Sequence, residues 1–169
     1  MAVQVGGGLP PRNRGSAMTT SLTVSALLGV ATTGLAFIAN RHLFGGRGAG
    51  PMTTLESAYY VVGLISLCLG WYFNIRYVHT YAHASYVNYT KMLFTNWASD
   101  SAAQDYTIVN VVLLPLWTIV DGRRRGLRLP WIFFVMSLFT SLAFSMAVYL
   151  AFVERQVRYA REEAASRTA

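Results

Sequence analysis

A chain of 169 residues in which 54% are hydrophobic and only 12% charged carries about half the charge of an average soluble domain, and that charge is segregated. The net charge of +7 lies in short basic clusters at the ends of apolar runs, not on a basic face interleaved with aromatics, which excludes a nucleic-acid-binding module. One cysteine, Cys68, excludes an intrachain disulfide, a thiolate metal cage and a CxxC redox pair.

Four runs, 15–40, 57–75, 106–120 and 129–153, contain no charged residue. A bilayer core takes roughly 20 helical residues to cross. The third run reaches that length only if it begins near Ser101 and brings Asp105 to the membrane. Lipid leaves the backbone a choice of helices or a closed barrel, and these runs are too long and continuous for barrel strands. The sequence therefore predicts an all-α integral membrane protein with four transmembrane helices and an interfacial amphipathic segment between helices two and three. Its parts are a flexible N-terminal tail over 1–16, a four-helix transmembrane domain over 17–158 and a charged C-terminal tail over 159–169.

The tail MAVQVGGGLPPRNRGS cannot bury a core. Arg12 and Arg14 before an apolar run imitate a secretory signal. Phe37 stands where a cleavage site near Ala39 wants a small residue, and the run is too long, so it reads as a spanning helix. Within it Ser21, Ser25, Gly29, Thr32, Thr33 and Ala36 recur at near-helical spacing. Such small residues let backbones approach closely in lipid, and Ser25, Gly29, Thr32, Thr33 and Ala36 form a packing interface, either within the bundle or against another protein. The Gly-rich loop NRHLFGGRGAGPMT follows.

Helix two, from about Thr54 to Val78, runs into RYVHTYAHASYVNYTK, Arg76 to Lys91, with four tyrosines and two histidines. His79 and His83, four apart, share a helical face with Arg76 and Tyr86. The spacing suits a metal, but a zinc-protease motif needs glutamate where Thr80 stands, a third ligand would have to come from His42, Asp100 or Asp105, and Arg76 repels a cation. The other reading is an aromatic hem at the water boundary. Next, TKMLFTNWASDSAAQD reads as an amphipathic surface helix with Met92, Leu93, Phe94 and Trp97 in the interface.

Asp105 opens helix three. An ionisable group there needs a partner or water: either an ion pair with Arg76 in a polar cluster with His79 and Asn110, or a helix N-terminal carboxylate favoured by the dipole. Asn74 and Asn110 are expected to bond neighbouring helices, and Pro115 to kink helix three. The turn DGRRRGLRLPW, Asp121 to Trp131, leads into helix four, with Pro130 suited to its first turn and Trp131 to an aromatic belt. Helix four continues into ERQVRYAREEAASRTA.

Four spans put both termini opposite the arginine turn, with eight basic residues on one side and six on the other, a balance that does not orient the chain. The dense RRRGLR turn leans toward the cytoplasm, which would leave both termini outside.

No Ser/His/Asp set or phosphate loop is visible. From about Tyr59 to Arg158, however, FTNWASDSAAQD before helix three, DGRRRGLRLPW with its Arg-Gly and Pro-Trp pairs, and the closing VERQ resemble a family of small bacterial multi-pass membrane proteins, domain of unknown function 2834. Asp105 stands in the place of that family's aspartate. Asp121 replaces a glutamate, and SMAVYL lacks the family's late proline. The resemblance implies fold and topology and no activity. The leading expectation is a non-enzymatic accessory or stabilising subunit of a larger membrane assembly, in a cell inner (plasma) membrane, with no cofactor. Its expected partners are the lipid bilayer and other membrane protein subunits. The alternatives are a small transporter or lipid-handling protein with a polar intramembrane cavity, and a membrane enzyme or cofactor protein using His79 and His83.

Overall fold

The computed structural model describes residues 14–45, 50–81 and 86–168. Among them there is no strand. The helices are α1 (Arg14–Ala39), α2 (Thr54–Thr80), α3 (Tyr86–Leu93), α4 (Trp97–Ile108), α5 (Leu114–Arg124), α6 (Ile132–Phe139) and α7 (Leu142–Thr168), with a 3-10 turn at Arg41–Leu43. All but the last three residues of the expected tail, and His83, lie outside the described residues.

Three helical stretches are long and apolar enough to cross a membrane: Leu22–Ala39, Thr54–Thr80 and Trp97–Arg124. The third joins α4 to α5 through a π turn at Val109–Leu113, where the Leu114 amide donates to Val109 O. The turn sits directly before Pro115, which has no N–H and whose ring crowds the preceding turn. The wider π ladder absorbs both defects inside one helix. Asn96 starts α4, its Oδ1 accepting from the Ala98 and Ser99 amides at 3.1 and 3.0 Å. WASDSAAQD is therefore the beginning of the third long helix, and the connecting segment contributes the shorter α3.

The fourth apolar run is where the expected topology fails. It breaks at Thr140–Ser141 and turns back. Ser141 caps α7, its Oγ accepting from the Phe144 amide at 3.1 Å, while Thr140 Oγ1 donates to Met136 O at 2.7 Å and closes α6. The two helices form an antiparallel hairpin: Phe133 meets Tyr149 and Phe152 edge to face with centroids 5.2 and 5.6 Å apart, and Ser145 Oγ donates to Phe133 O.

Each arm lies on a different long helix. On α1, Thr33 Oγ1 meets Met136 Sδ at 3.2 Å, and a Cβ on Gly29 would stand 3.1 Å from Thr140 Cγ2. Along α2, Gly63 faces Ala147, Ser66 Oγ bonds Ser141 Oγ at 3.0 Å, and Glu56 meets Arg155. Contacts thus run from the middle of α2 back to its start as α7 advances. Both ends of the hairpin emerge at the end of the bundle that holds the α1–α2 connection, and α7 leaves there.

The core lies in that half of the molecule: Ala36, Leu43, Leu127, Ile132, Phe133, Met136, Val148, Tyr149 and Phe152 are buried together. The long helices meet chiefly through the hairpin and little through one another. Only 6% of the α2 span is buried within the protein, so its Val61, Val62, Leu64, Ile65, Leu69 and Phe73 face outward.

Candidate functional site

The hairpin is locked by a buried ion cluster. Thr53 caps α2 by accepting from the Glu56 amide at 3.0 Å, one half of a Thr-x-x-Glu capping box. The Glu56 carboxylate does not complete the box. It is fully buried and turned toward α7, where Arg155 Nε and Nη2 reach Oε1 at 2.7 and 2.6 Å and Arg158 Nη2 reaches Oε2. The three-residue spacing puts both guanidiniums on one face of α7.

The arginines also hold the α1–α2 connection. Arg155 Nη1 donates to Leu43 O at 3.5 Å, and Arg158 Nη1 donates to Pro51 O. Phe44 lies under the Arg155 guanidinium, 4.5 Å from Cζ to the ring centroid. A buried carboxylate costs far more than it returns unless paired and hydrogen-bonded, and here both oxygens are matched by charge-assisted donors.

Beside this cluster the arginine turn is fixed twice. Gly126, at φ 80°, closes α5 in a Schellman geometry: the Leu127 amide donates to Gly122 O at 2.8 Å and the Gly126 amide to Arg123 O at 3.1 Å, with Leu127 buried. Two residues on, buried Asn40 grips the backbone of Arg128, accepting from its N–H at 2.8 Å and donating to its carbonyl at 2.9 Å. Asp121 Oδ2 takes Arg125 Nε at 2.7 Å and the Tyr149 hydroxyl at 2.6 Å. His42 stands edge-on to Tyr159, centroids 5.7 Å apart. Burial, then the nearby Arg128 charge, holds its pKa below the ordinary 6.5, opposed by Gln156.

The residues expected from sequence to form a polar cluster are distributed differently. Arg76, His79 and Asp105 are exposed, and no ion pair joins Arg76 to Asp105 among the described residues. Asp105 lies well inside α4; Asp100 occupies the first turn. His79 is at the opposite end of the bundle from His42. Asn110 alone turns inward: its Oδ1 accepts from Ser137 Oγ at 2.8 Å, and its Nδ2 donates to Tyr106 Oη at 3.4 Å. The bond to Ser137 is interhelical, made from the π turn to α6. The aromatic stretch forms a small stack, with Tyr77 5.3 Å from both Tyr81 and Tyr89. On α1, Gly29, Thr32, Thr33 and Ala36 are covered inside the chain, chiefly by α6, and Ser25 is half-buried.

Sequence reasoning missed Glu56, Arg155 and Asn40. The signals that could have found them are the Thr-x-x-Glu pattern at Thr53–Glu56, a helix-start signature, and Ser141 as a cap for the helix that brings Arg155 back. A family model described as "Protein of unknown function DUF2834" matches residues 58–155. No curated protein and no solved structure matches.

Proposed function

The chain belongs to the DUF2834 family of proteins of unknown function, and from that premise we propose a non-enzymatic, multi-pass inner-membrane protein that serves as a stabilising subunit of a larger membrane assembly. Three helices span: Leu22–Ala39, Thr54–Thr80 and Trp97–Arg124. The α6–α7 hairpin is re-entrant, entering to mid-bilayer and leaving by the same face. α3 and the adjoining Phe94 and Trp97 lie along the opposite surface as the amphipathic segment.

The observation that carries this reading is the incomplete bundle. The hairpin fills one half of the space between the long helices, and away from the stripe that meets α7, α2 leaves Val61, Val62, Leu64, Ile65, Leu69 and Phe73 exposed. In lipid, association rests on packing and interhelical bonds, and helices held apart by a half-length wedge offer such surfaces to other subunits. Mild-detergent extraction after crosslinking in native membranes tests it. A stoichiometric larger species is expected; recovery of the uncrosslinked single chain as the main product overturns the reading.

One observation favours a second reading, a small transporter. The hairpin ends two half-helices at mid-depth beside Ser66, Thr140 and Ser141, and non-helical backbone at that depth is tolerated where protein or water satisfies it. With Cys68→Ser as background, Ala143→Cys should react with a membrane-impermeant maleimide if an aqueous path reaches the tip. Protection from both faces removes the transporter reading.

A further inference from the structure

The arginine turn is built more rigidly than a topology signal requires. Its backbone is held by the Schellman closure at Gly126, by the two-bond grip of Asn40 on Arg128, and by Asp121, which binds both Arg125 and Tyr149. Arg125 is thereby neutralised. Arg123, Arg124 and Arg128 remain exposed, without an ion pair among the described residues. Trp131 follows directly and is itself 42% exposed. Guanidiniums carried on a pinned backbone beside an exposed indole bind an anion without the cost of ordering the loop, which guanidiniums on a mobile loop must meet. Their planar donors match the phosphate oxygens of a phosphodiester.

Resting on the membrane reading above, we propose that this turn is a docking surface for anionic phospholipid headgroups of the leaflet into which the α6–α7 hairpin opens. The bilayer supplies such headgroups at the depth where an interfacial tryptophan sits. Charge complementarity favours anionic over zwitterionic lipid, since a net-neutral headgroup offers no counterion to three unpaired guanidiniums.

The test uses the full chain with Trp131 as the only indole (Trp71, Trp97 and Trp117 each →Phe), reconstituted in vesicles of phosphatidylglycerol and phosphatidylcholine. Trp131 fluorescence is compared when one or the other lipid carries brominated chains. Quenching by brominated phosphatidylglycerol is expected to exceed that by brominated phosphatidylcholine at equal mole fraction. The combined variant Arg123→Gln, Arg124→Gln, Arg128→Gln is expected to lower the phosphatidylglycerol preference about tenfold or more, toward parity. Parity in the parent, or an unchanged preference in the triple variant, overturns the proposal. Loss of the preference in excess inorganic phosphate assigns the site to free anions and also overturns it. Failure of the membrane reading looks different, because then neither brominated lipid quenches. Native mass spectrometry of the chain with all four tryptophans, counting retained phosphatidylglycerol against phosphatidylcholine, gives the same comparison without the tryptophan changes.

Discussion

Glu56 is the residue on which most of one end depends. Removing the acid strands the buried Arg155 and leaves the half-buried Arg158 without its partner, and breaking a buried pair from one side typically costs about 3–5 kcal/mol. Glu56→Gln is therefore expected to lower the unfolding free energy by an amount in that range, read by denaturant titration in a fixed detergent. The combination Glu56→Leu with Arg155→Met should recover much of the loss, which a role in backbone capping alone would not allow. His42 supplies a pH dependence whose sign follows from burial and the Arg128 charge. Its folded-state pKa lies below the ordinary 6.5, so the unfolded chain binds more protons and stability rises with pH. The contribution is fully present above about 6.5 and is lost as pH falls below that value and through the lowered folded one. His42→Gln should flatten the pH dependence of the melting temperature across that window. Neither Glu56 nor Arg155 was legible as a site, because each stands at the edge of an apolar run, where a charge is read as the end of a helix and not as half of a contact.

At the scale of elements, the apolar runs foretold helices well and their directions poorly. Hydropathy over 129–153 is the same whether the segment crosses or returns, and the only local sign of the turn is Thr140–Ser141, two hydroxyls in a run that otherwise reads as a span. Those hydroxyls act differently: Thr140 ends α6 through Met136 O, and Ser141 starts α7 while bonding Ser66. Ser141→Ala removes a cap worth about 1 kcal/mol and an interhelical bond averaging about 0.6 kcal/mol. Its expected effect is a loss near the sum of the two, whereas Ser141→Asp, which keeps an acceptor, should retain the cap and pay for burying a charge. Pro115 was read as a kink, and the chain met the same defect with a π turn that carries Asn110 toward Ser137. Gly122 is the position with least room, since a Cβ there would stand 2.7 Å from Pro130 Cβ. Gly122→Ala should shift the arginine turn and destabilise it by about 1–3 kcal/mol, the usual cost of overpacking.

The folded-back hairpin alters the charge balance of the whole molecule. Four spans divided the 14 basic residues almost evenly, because the segment after Val153 was assigned to the side of the N-terminus. The contacts of Arg155 and Arg158 with Glu56, Leu43 and Pro51 instead put that segment with the arginine turn. Among the described residues, Arg14, Arg76 and Lys91 are then left at one end, and Arg41, Arg161, Arg167 and the arginines of the turn and the ion cluster gather at the opposite one. An excess of Lys and Arg near span ends marks the cytoplasmic side, so the chain is expected to have its C-terminus and arginine turn in the cytoplasm and its N-terminus outside. Two single cysteines in a Cys68→Ser background test this in intact cells: Thr95→Cys, on the α3–α4 connection, should react with a membrane-impermeant maleimide, and Ser166→Cys should react only after the cells are opened. The opposite pattern would reverse the orientation while leaving the re-entrant hairpin intact. Labelling of both from outside would place α7 across the bilayer, and would undo the hairpin itself.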